Sequence, residues 1–405
     1  MKIIVQKFGG TSVADGANRA AVKAKVQQAV DKGYSPVVVV SAMGRKGAPY
    51  ATDTLIGVLK EENLSVSARE MDVMMCCGEI ISSCVMAAHL QREGLKALAL
   101  TGGQAGIITD SEYSAARIKN IRTSHLLKLL EDGYVPVVCG FQGMTENNGN
   151  FTTLGRGGSD TTAAALGAAL HADLVEIYTD VDGIMTADPR LVENADILDQ
   201  ISYQEVAQMA HNGAKVIHPR AVEIAMGANV PLVVRSTFSD APGTVITNER
   251  RDSAAGADVV FTDRVASGIA NMDGLTQFQV CWEGENGAAG QKLFQDIAAA
   301  GISVSFLNLS GRDAMFATFE KDADKTVEVL RQSGFKFVCN RDCAKVTVIL
   351  AARRGVPGLM ATFVTALASR GISILQTVDS DNTISAIIRA DRMAEGVRAL
   401  HDAFL

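Results

Sequence analysis

The chain has 405 residues, of which 47% are hydrophobic and 20% are charged, and its formal net charge is −7. This length predicts two or three domains, and the composition is that of a folded globular protein, which excludes a disordered or fibrous chain. The negative charge argues against nucleic acid and against an anionic membrane surface as partners.

Three further features concern the cellular compartment. No run reaches the roughly 18 uninterrupted apolar residues of a membrane span, and residues 2–5 are already typical of a strand, which leaves no room for a leader peptide. The seven cysteines are odd in number and show no Cys-x-x-Cys spacing, so reduced core thiols are expected. We therefore expect a cytoplasmic protein.

Residues 1 to about 248 alternate between strand-like and helix-like segments. The strand-like segments are rich in Val, Ile and Leu without polar alternation, as in strands buried on both faces. Strands are predicted at 2–8, 36–42, 97–101, 135–141, 174–179 and 230–235, and helices at 16–32, 69–92, 115–132, 161–171 and 203–227. This order predicts an α/β fold with a mainly parallel sheet sandwiched by helices, in which ligands bind beyond the carboxyl ends of the strands.

A glycine turn follows the first predicted strand, at Lys7-Phe8-Gly9-Gly10. A lysine there can contact a phosphoryl oxygen while backbone amides approach the same group. An exposed lysine beside an ordinary turn is equally compatible with this pattern. The sequence contains neither Gly-x-x-x-x-Gly-Lys-Ser/Thr nor Gly-x-Gly-x-x-Gly, which argues against P-loop and dinucleotide-binding folds.

A second glycine-rich segment, residues 152–162, joins an irregular loop to an Ala/Leu-rich run that is typical of a helix. Ser159 or Asp160 is expected to cap that helix, and the glycines before them free backbone N–H groups that can meet an anion. Arg156 adds a guanidinium that can hold a carboxylate or phosphate through two bonds. Helix capping without any ligand is the alternative at this point.

Acidic residues in unusual settings complete the inventory. Glu79 stands in an apolar run, so its carboxylate is expected either to pair internally or to contact a substrate ammonium. Asp180 and Asp182 follow a predicted strand and suit either Mg²⁺ or a turn. Lys215 is a second candidate cation, although a surface lysine is the more common outcome. No Ser–His–Asp, Cys–His or metal-ligand spacing is found, and the set of anion binders with acids suits phosphoryl transfer.

The character of the chain changes after Pro242-Gly243. Residues 248–264 are polar and irregular, as in a linker. Beyond them, residues 293–303 resemble residues 363–373, and each segment is followed by two strand-like runs and a helix. We therefore predict two ferredoxin-like βαββαβ modules and place the domains at 1–248, 265–340 and 344–405.

Taken together, five ordered motifs resemble those of the monofunctional bacterial aspartate kinases. They are residues 7–12, 41–44, 69–72 with Gly78-Glu79, 154–160 and 178–190, and the loop at 44–53 is similar to that of the Bacillus-type enzymes. The second half is similar to the paired ACT regulatory modules of the family, so the resemblance covers essentially the whole chain. It implies an amino acid kinase fold and MgATP-dependent phosphorylation of the β-carboxylate of L-aspartate to 4-phospho-L-aspartate. That reaction is the first step toward lysine and diaminopimelate, threonine and methionine.

The resemblance also implies roles for individual residues at the matching motif positions. Lys7 is expected to stabilise the transferred phosphoryl group and Asp160 to orient Lys7. Glu79 is expected to hold the ammonium of aspartate and Arg156 a carboxylate. The full substrate set is Thr52, Glu79, Arg156, Gly157, Gly158 and Ser159, and the ATP set is Lys7, Phe8, Gly9, Gly10, Thr179, Asp180, Met185, Arg190 and Lys215. ATP and Mg²⁺ are the implied cofactors, no residue is assigned as a metal ligand, and no general base is needed because a carboxylate is already ionised at neutral pH.

Two positions depart from the family pattern. Met185 stands where relatives often carry an aromatic residue beside adenine, and ATP binding is expected to survive because methionine packs against a flat ring. Residues 281–290 lack the Pro-Gly found at Pro357-Gly358. The resemblance further implies feedback by lysine, threonine or meso-diaminopimelate bound between ACT units, and a homodimer or larger oligomer formed through them.

Two other functions remain open. One is another amino acid kinase, such as an acetylglutamate or glutamate 5-kinase, against which the 69–79 segment and the ACT tail argue. The other is a non-catalytic amino-acid sensor, against which the intact Lys7, Arg156 and Asp160 argue.

Overall fold

A computed structural model describes residues 1–214, 216–248, 265–283, 287–351 and 357–405. These residues form two compact units. The first contains residues 1–184, 197–207 and 216–248, and the second contains residues 185–196, 208–214 and the described residues from 265 onward. The predicted linker lies outside the described residues except for Asn248. The three predicted domain boundaries stay a prediction.

The elements that begin in the first unit alternate strands with helices. In chain order they are β1 Lys2–Phe8, α1 Gly16–Asp31, β2 Tyr34–Val40, α2 Thr52–Glu62, α3 Ala68–Arg92, β3 Ala97–Leu100, β4 Ile107–Thr109, β5 Ile118–Ile121, α4 Ser124–Glu131, β6 Val135–Cys139, β7 Gln142–Thr145, β8 Phe151–Thr153, α5 Gly158–Ala169, β9 Leu174–Thr179, β10 Gln200–Ile201, α6 Tyr203–His211, α7 Pro219–Ala228, β11 Leu232–Ser236 and β12 Thr244–Ile246.

The main sheet of the first unit has eight strands in the order β10-β12-β11-β9-β1-β2-β6-β3. Strand β1 is central and runs parallel to both β2 and β9, and among the described pairs of this sheet only β12 with β11 is antiparallel. The valines of β2 and β6 are all buried, which explains their unalternating apolar sequences. The predicted α/β class with a mainly parallel sheet is confirmed.

A smaller sheet of the first unit was not predicted. It has the order β5-β4-β7-β8, and its strands have only three or four residues each. The prediction of a single helix over 115–132 is therefore wrong, because residues 118–121 form β5 and α4 begins only at Ser124. The predicted helix over 203–227 is two helices, with Pro219 at the first position of α7, where a missing N–H costs nothing.

Parallel pairing brings the carboxyl ends of β1, β2, β6 and β9 to one edge of the sheet. The loops that follow β1 and β2 are in close contact there. A Cβ atom at Gly10 would lie 2.5 Å from the carbonyl oxygen of Ala42 and 2.7 Å from that of Gly44. No larger residue fits at Gly10, and the two loops are thereby held against each other.

The second unit is an antiparallel sheet with helices. In chain order its elements are β13 Ala266–Cys281, α8 Gly287–Ala299, β14 Ser305–Leu309, β15 Asp313–Phe319, α9 Ala323–Gln332, β16 Lys336–Leu350, α10 Leu359–Ser369, β17 Gln376–Ser380, β18 Thr383–Arg389 and α11 Met393–Phe404. The sheet has the order β14-β15-β13-β16-β18-β17.

Strands β13 and β16 are long and pair with each other along most of their length. The second half of β13 pairs with β15, whereas the second half of β16 pairs with β18. One core surrounds the stacked rings of Phe278 and Phe316 and another surrounds Phe363 and Leu367. The two ferredoxin-like modules predicted from the repeat are therefore present, and they share their two central strands.

Among the described residues, α3 is the one helix with the length and apolar composition of a membrane span. Buried core helices pass the same test. Helix α3 carries Asp72 and Glu79 on its buried side.

Candidate active site

A cavity of about 250 Å³ opens where β1 and β2 end and α5 begins. The residues that line it come from the end of β1, from α3, and from loops and helix starts of the first unit. They are Lys7, Ser41, Thr52, Glu79, Phe141, Gly155, Arg156, Gly157, Gly158, Ser159 and Asp160. The cavity thus brings together both predicted catalytic residues and all six residues predicted to bind the substrate.

Lys7 and Asp160 form an ion pair in this cavity. The Lys7 Nζ lies 2.7 Å from Oδ1 of Asp160, and the two side chains are 13% and 14% exposed. Lys7 is the penultimate residue of β1, and Asp160 is in the first turn of α5. The pair is therefore fixed on two rigid elements, with its cation close to the glycine turn: a Cβ atom at Gly9 would lie 3.8 Å from Nζ.

The start of α5 differs from the prediction. The residue that precedes the helix is Gly157, in the left-handed region with φ 69°, and no side chain caps the helix. The prediction that Ser159 or Asp160 caps α5 is wrong, because both lie inside its first turn. Instead, Ser159 Oγ accepts a hydrogen bond from Ser41 Oγ at 3.0 Å. The N–H of Gly158 donates to the carbonyl oxygen of Gly155 at 3.0 Å, whereas no side chain caps the amides that follow it, and these favour an anion at this point of the cavity.

Arg156 occupies the loop between β8 and α5. Its side chain is exposed and lines the cavity. Among the described residues no carboxylate pairs with it. The left-handed glycines Gly155 and Gly157, with φ 76° and 69°, flank it and shape the loop. Arg156 is thus an unpaired guanidinium beside bare helix amides, an arrangement suited to a carboxylate or a phosphate.

Glu79, from the middle of α3, also lines the cavity and is 3% exposed. Its Oε1 accepts a hydrogen bond from the backbone N–H of Ala42 at 3.1 Å, whereas Oε2 has no partner among the described residues. No cationic side chain in the described part of the chain pairs with it. Burial raises the pKa of Glu79 to about 8, against a smaller opposing contribution from the Ala42 hydrogen bond. A half-satisfied buried carboxyl group of this kind is suited to receive a cation or a donor from a ligand.

The residues predicted to bind ATP in the first unit contribute in different ways. The Phe8 side chain is fully buried and stacks on Tyr178 with ring centroids 4.6 Å apart, so only its backbone is available to a ligand. Thr179 donates to Oδ1 of Asp180 at 3.1 Å, and Asp180 pairs with Arg45 at 2.8 Å on the exposed surface.

The other three residues predicted to bind ATP are not among those that line this cavity. Met185 and Arg190 belong to the second unit, where Met185 is partly buried and Arg190 forms a two-pronged contact with Asp188. Lys215 lies outside the described residues. The assignment of these three residues to the nucleotide stays a prediction.

Three residues near this edge were missing from the predicted site. Ser41 and Phe141 line the cavity, and Arg45 pairs with Asp180. Ser41 follows β2 as Gly9 follows β1, so the position at the end of a parallel strand was a usable signal. Nothing in the local sequence indicates that Phe141 reaches the cavity or that Arg45 meets an aspartate far along the chain.

A magnesium ion would find few protein ligands here. The described residues contain no group of three or more His, Cys, Asp or Glu side chains able to hold a metal. Asp180 and Asp182 are both exposed, and Asp182 accepts from Ser239 Oγ at 2.5 Å. Such a donor set fits Mg²⁺ that keeps its waters and is bound largely by phosphates, and it does not fit an all-protein cage.

Comparison with known proteins gives consistent results for sequence and structure. The profile of the amino acid kinase family matches residues 2–236, and the ACT domain profile matches residues 338–402. Aspartokinase 1 of Bacillus subtilis (strain 168) is 45% identical over 404 residues, which cover 100% of this chain and 99% of that protein. The aspartokinase of Geobacillus stearothermophilus is 39% identical over 410 residues, covering 100% and 97%.

Among solved structures, E. coli aspartokinase III in complex with aspartate and ADP (R-state) matches with a TM-score of 0.80. The match covers 99% of both chains at 24% sequence identity, which supports the fold.

Proposed function

The chain belongs to the aspartokinases of the amino acid kinase family, and we propose that its catalysis takes place in the cavity around Lys7 and Asp160. It is an aspartate kinase that uses ATP and carries an ACT regulatory region. The observation that supports this choice of cavity is its complementary charge. An unpaired guanidinium, an ion-paired lysine and a half-satisfied buried carboxyl group surround one space.

Aspartate has two carboxylates and one ammonium, and the lining residues offer a partner to each. Arg156 and the first amides of α5 take the α-carboxylate, with a hydrogen bond from Ser159. Glu79 takes the ammonium through its unpartnered Oε2. Thr52, at the first turn of α2, and the backbone of Gly157 and Gly158 close the space around the substrate.

The β-carboxylate then faces Lys7 and acts as the nucleophile without a general base, since it is ionised at neutral pH. One of its oxygens forms a bond to the γ-phosphorus of ATP as the bond from that phosphorus to the β–γ bridging oxygen breaks. ADP leaves and 4-phospho-L-aspartate forms. Lys7 neutralises charge on the transferred phosphoryl group, and Asp160 holds the lysine in place.

ATP is held by Lys7, the backbone of residues 8–10, Thr179 and Asp180. The assignment of Met185, Arg190 and Lys215 to the nucleotide rests on the resemblance to the family alone. Mg²⁺ bound with the nucleotide would add neutralising charge at its phosphates. Asp180 and Asp182 are the carboxylates of this edge that would contact the ion or its waters.

The proposed regulation and assembly rest on the ACT region. A solved structure of E. coli aspartokinase III is described in complex with lysine and aspartate (T-state). For the present chain we propose lysine, threonine or meso-diaminopimelate as effectors, and a homodimer or larger oligomer formed through the ACT modules. The proposed compartment is the cytoplasm.

The substrate is tested by measuring ADP release with ATP, Mg²⁺ and either L-aspartate, L-glutamate or N-acetyl-L-glutamate. Turnover with L-aspartate alone is expected, with hydroxylamine trapping the acyl phosphate as a hydroxamate. Equal turnover with glutamate or N-acetylglutamate would contradict the substrate assignment. Absence of hydroxamate above the level of the Lys7→Ala variant would contradict the proposed catalytic site.

A further inference from the structure

The 69–72 motif contains a buried acid, Asp72, to which the proposed chemistry assigns no role. Asp72 is fully buried on α3. Among the described residues no cationic side chain pairs with it. A carboxyl group in such a place costs free energy unless hydrogen bonds compensate for the lost water, so its bonding partners indicate its purpose.

Asp72 is bonded to two segments that are distant from each other in the sequence. Thr153, the last residue of β8, donates through its backbone N–H at 2.7 Å and through Oγ1 at 2.9 Å. Ser114 donates through its N–H at 3.0 Å to each oxygen and through its Oγ at 3.2 Å. One carboxyl group thus joins the end of β8 to the loop that precedes β5.

Arg220 of α7 joins the same two segments a little farther on. Its Nη1 donates to the carbonyl oxygen of Leu154 at 3.0 Å, and its Nη2 donates to that of Ala116 at 3.2 Å. Between these contacts the N–H of Ala116 donates to the carbonyl oxygen of Thr153 at 2.9 Å. The backbone of residues 153–154 is therefore fixed by the carboxyl group of Asp72, the guanidinium of Arg220 and a main-chain hydrogen bond.

The next residues of the chain are those of the proposed carboxylate site. Gly155 is left-handed with φ 76°, and a Cβ atom there would lie 3.1 Å from the carbonyl oxygen of Ser114. Arg156 follows, and no described side chain orients it. The place that its guanidinium reaches is therefore set by the backbone that Asp72 and Arg220 hold.

We propose that Asp72 and Arg220 are positioning residues that fix residues 153–156 so that Arg156 meets the α-carboxylate of the substrate. This inference rests on the proposed role of Arg156. Asp72 precedes Glu79 by two helical turns and lies on the same face of α3. Helix α3 thus presents Glu79 to the ammonium. Through Asp72 it also sets the distance between Glu79 and Arg156, which holds the carboxylate.

Asp72→Asn is the direct test, because the amide keeps the shape but replaces one acceptor oxygen by a group that cannot accept the N–H of Thr153 or Ser114. We expect the KM for aspartate to rise about tenfold, since small misplacements of a binding group are costly. The KM for ATP is expected to stay within about twofold of the wild-type value. Asp173→Asn is the matched control, since Asp173 accepts the N–H of Ile3 at the opposite end of β1. It should lower the melting temperature without changing the KM for aspartate.

A double-mutant cycle with Arg156→Ala separates positioning from general damage. If Asp72 acts through Arg156, Asp72→Asn will raise the KM for aspartate in the wild-type background and will change it little in the Arg156→Ala background. Multiplicative effects of the two substitutions, or an unchanged KM in Asp72→Asn, would overturn the positioning role. An unchanged KM in Arg156→Ala would instead overturn the proposed substrate site.

Arg220→Gln and Thr153→Val provide the same test should Asp72→Asn fail to fold. Thr153→Val removes one donor to Asp72 and keeps the volume, and Arg220→Gln removes the bridge to Leu154. Each is expected to raise the KM for aspartate about threefold or more while leaving the KM for ATP unchanged. If neither variant changes the KM for aspartate, the inference is wrong.

Discussion

Lys7 and Asp160 are the residues on which turnover should depend most. The ammonium of Lys7 is largely withdrawn from water and held by one carboxylate, so its charge acts strongly on a phosphoryl group in the cavity. We expect Lys7→Ala to lower kcat by about 10³-fold or more, as for removal of a main charge stabiliser. Asp160→Asn should lower kcat more than it raises either KM. The measurement is steady-state ADP release.

Lys2→Ala is the control for this prediction, because Lys2 begins the same strand and is exposed. It should leave kcat unchanged. A Lys7→Ala enzyme with kcat within about tenfold of the wild type would show that the phosphoryl group is stabilised elsewhere.

Glu79 predicts a pH dependence of aspartate binding. Its pKa is raised to about 8 by burial, so the empty site holds mostly the protonated acid at neutral pH. An ammonium ligand requires the carboxylate, and kcat/KM for aspartate should therefore rise by about tenfold per pH unit below pH 8 and level off above it. Glu79→Gln should give a lower kcat/KM that does not change over this range. A wild-type profile that is flat between pH 6 and 8 would contradict the assignment.

The same raised pKa affects stability in a defined direction. The folded protein binds the Glu79 proton more tightly than the unfolded chain does, so the stabilising contribution is full at pH values below 4.5 and is lost as the pH rises through about 8. Without aspartate, the melting temperature of Glu79→Gln should therefore increase relative to that of the wild type as the pH rises from 5 to 8.

At the residue scale, the local sequence predicts which side chains are buried better than it predicts which side chains pair with each other. The apolar neighbours of Glu79 indicated a buried acid, and the structure shows one with an unpartnered oxygen. The pairing of Lys7 with Asp160 depends on two elements folding to the same edge. Only the resemblance to a family indicated it beforehand, since no short-range spacing encodes a contact between such distant residues.

At the scale of elements, the junction of β8 with α5 predicts that replacing its glycine by alanine is more damaging than the same replacement in an open turn. Gly157 is left-handed with φ 69°, and a Cβ atom there would lie 2.2 Å from Cγ of His218. Gly157→Ala should combine about 1–2 kcal/mol of backbone strain with displacement of that ring, and should also raise the KM for aspartate. Thermal unfolding and kinetics together measure both effects.

Gly133→Ala is the matched control, because Gly133 has φ 76° but nothing within 4 Å of the added atom. It should cost only the backbone strain and should leave the KM for aspartate unchanged. Equal losses in the two variants would show that the contact with His218 imposes no constraint on the loop.

The elements differ in how far the sequence reveals them. Strands β1 and β9 were predicted with their observed bounds because both faces are buried and the apolar run ends where the strand ends. The small sheet of the first unit was missed because its strands are too short to establish a period. Residues 115–121 contain alanine and isoleucine at helical spacing, yet antiparallel pairing of β5 with β4 prevails over that local preference.

At the scale of the whole molecule, the repeat in the second half predicted two modules but not how they are joined. Strands β13 and β16 are each part of both modules. In each module, one half of β13 pairs with one half of β16. The central ladder of this sheet, β13 with β16, therefore belongs to both modules. An effector that displaces either central strand in one module would therefore displace a strand that continues into the other module.

A chain of this kind should respond to an effector as one unit. We expect lysine, threonine or meso-diaminopimelate to raise the KM for aspartate or to lower turnover by about 5- to 150-fold, the usual range of coupling between sites. D-lysine serves as the ligand control and should have no effect. Because coupling of binding is reciprocal, saturating aspartate must weaken binding of the active effector by the factor by which the effector weakens binding of aspartate. Titration calorimetry of each ligand in the presence of the other measures both factors. Indifference to all three amino acids would contradict the proposed effectors.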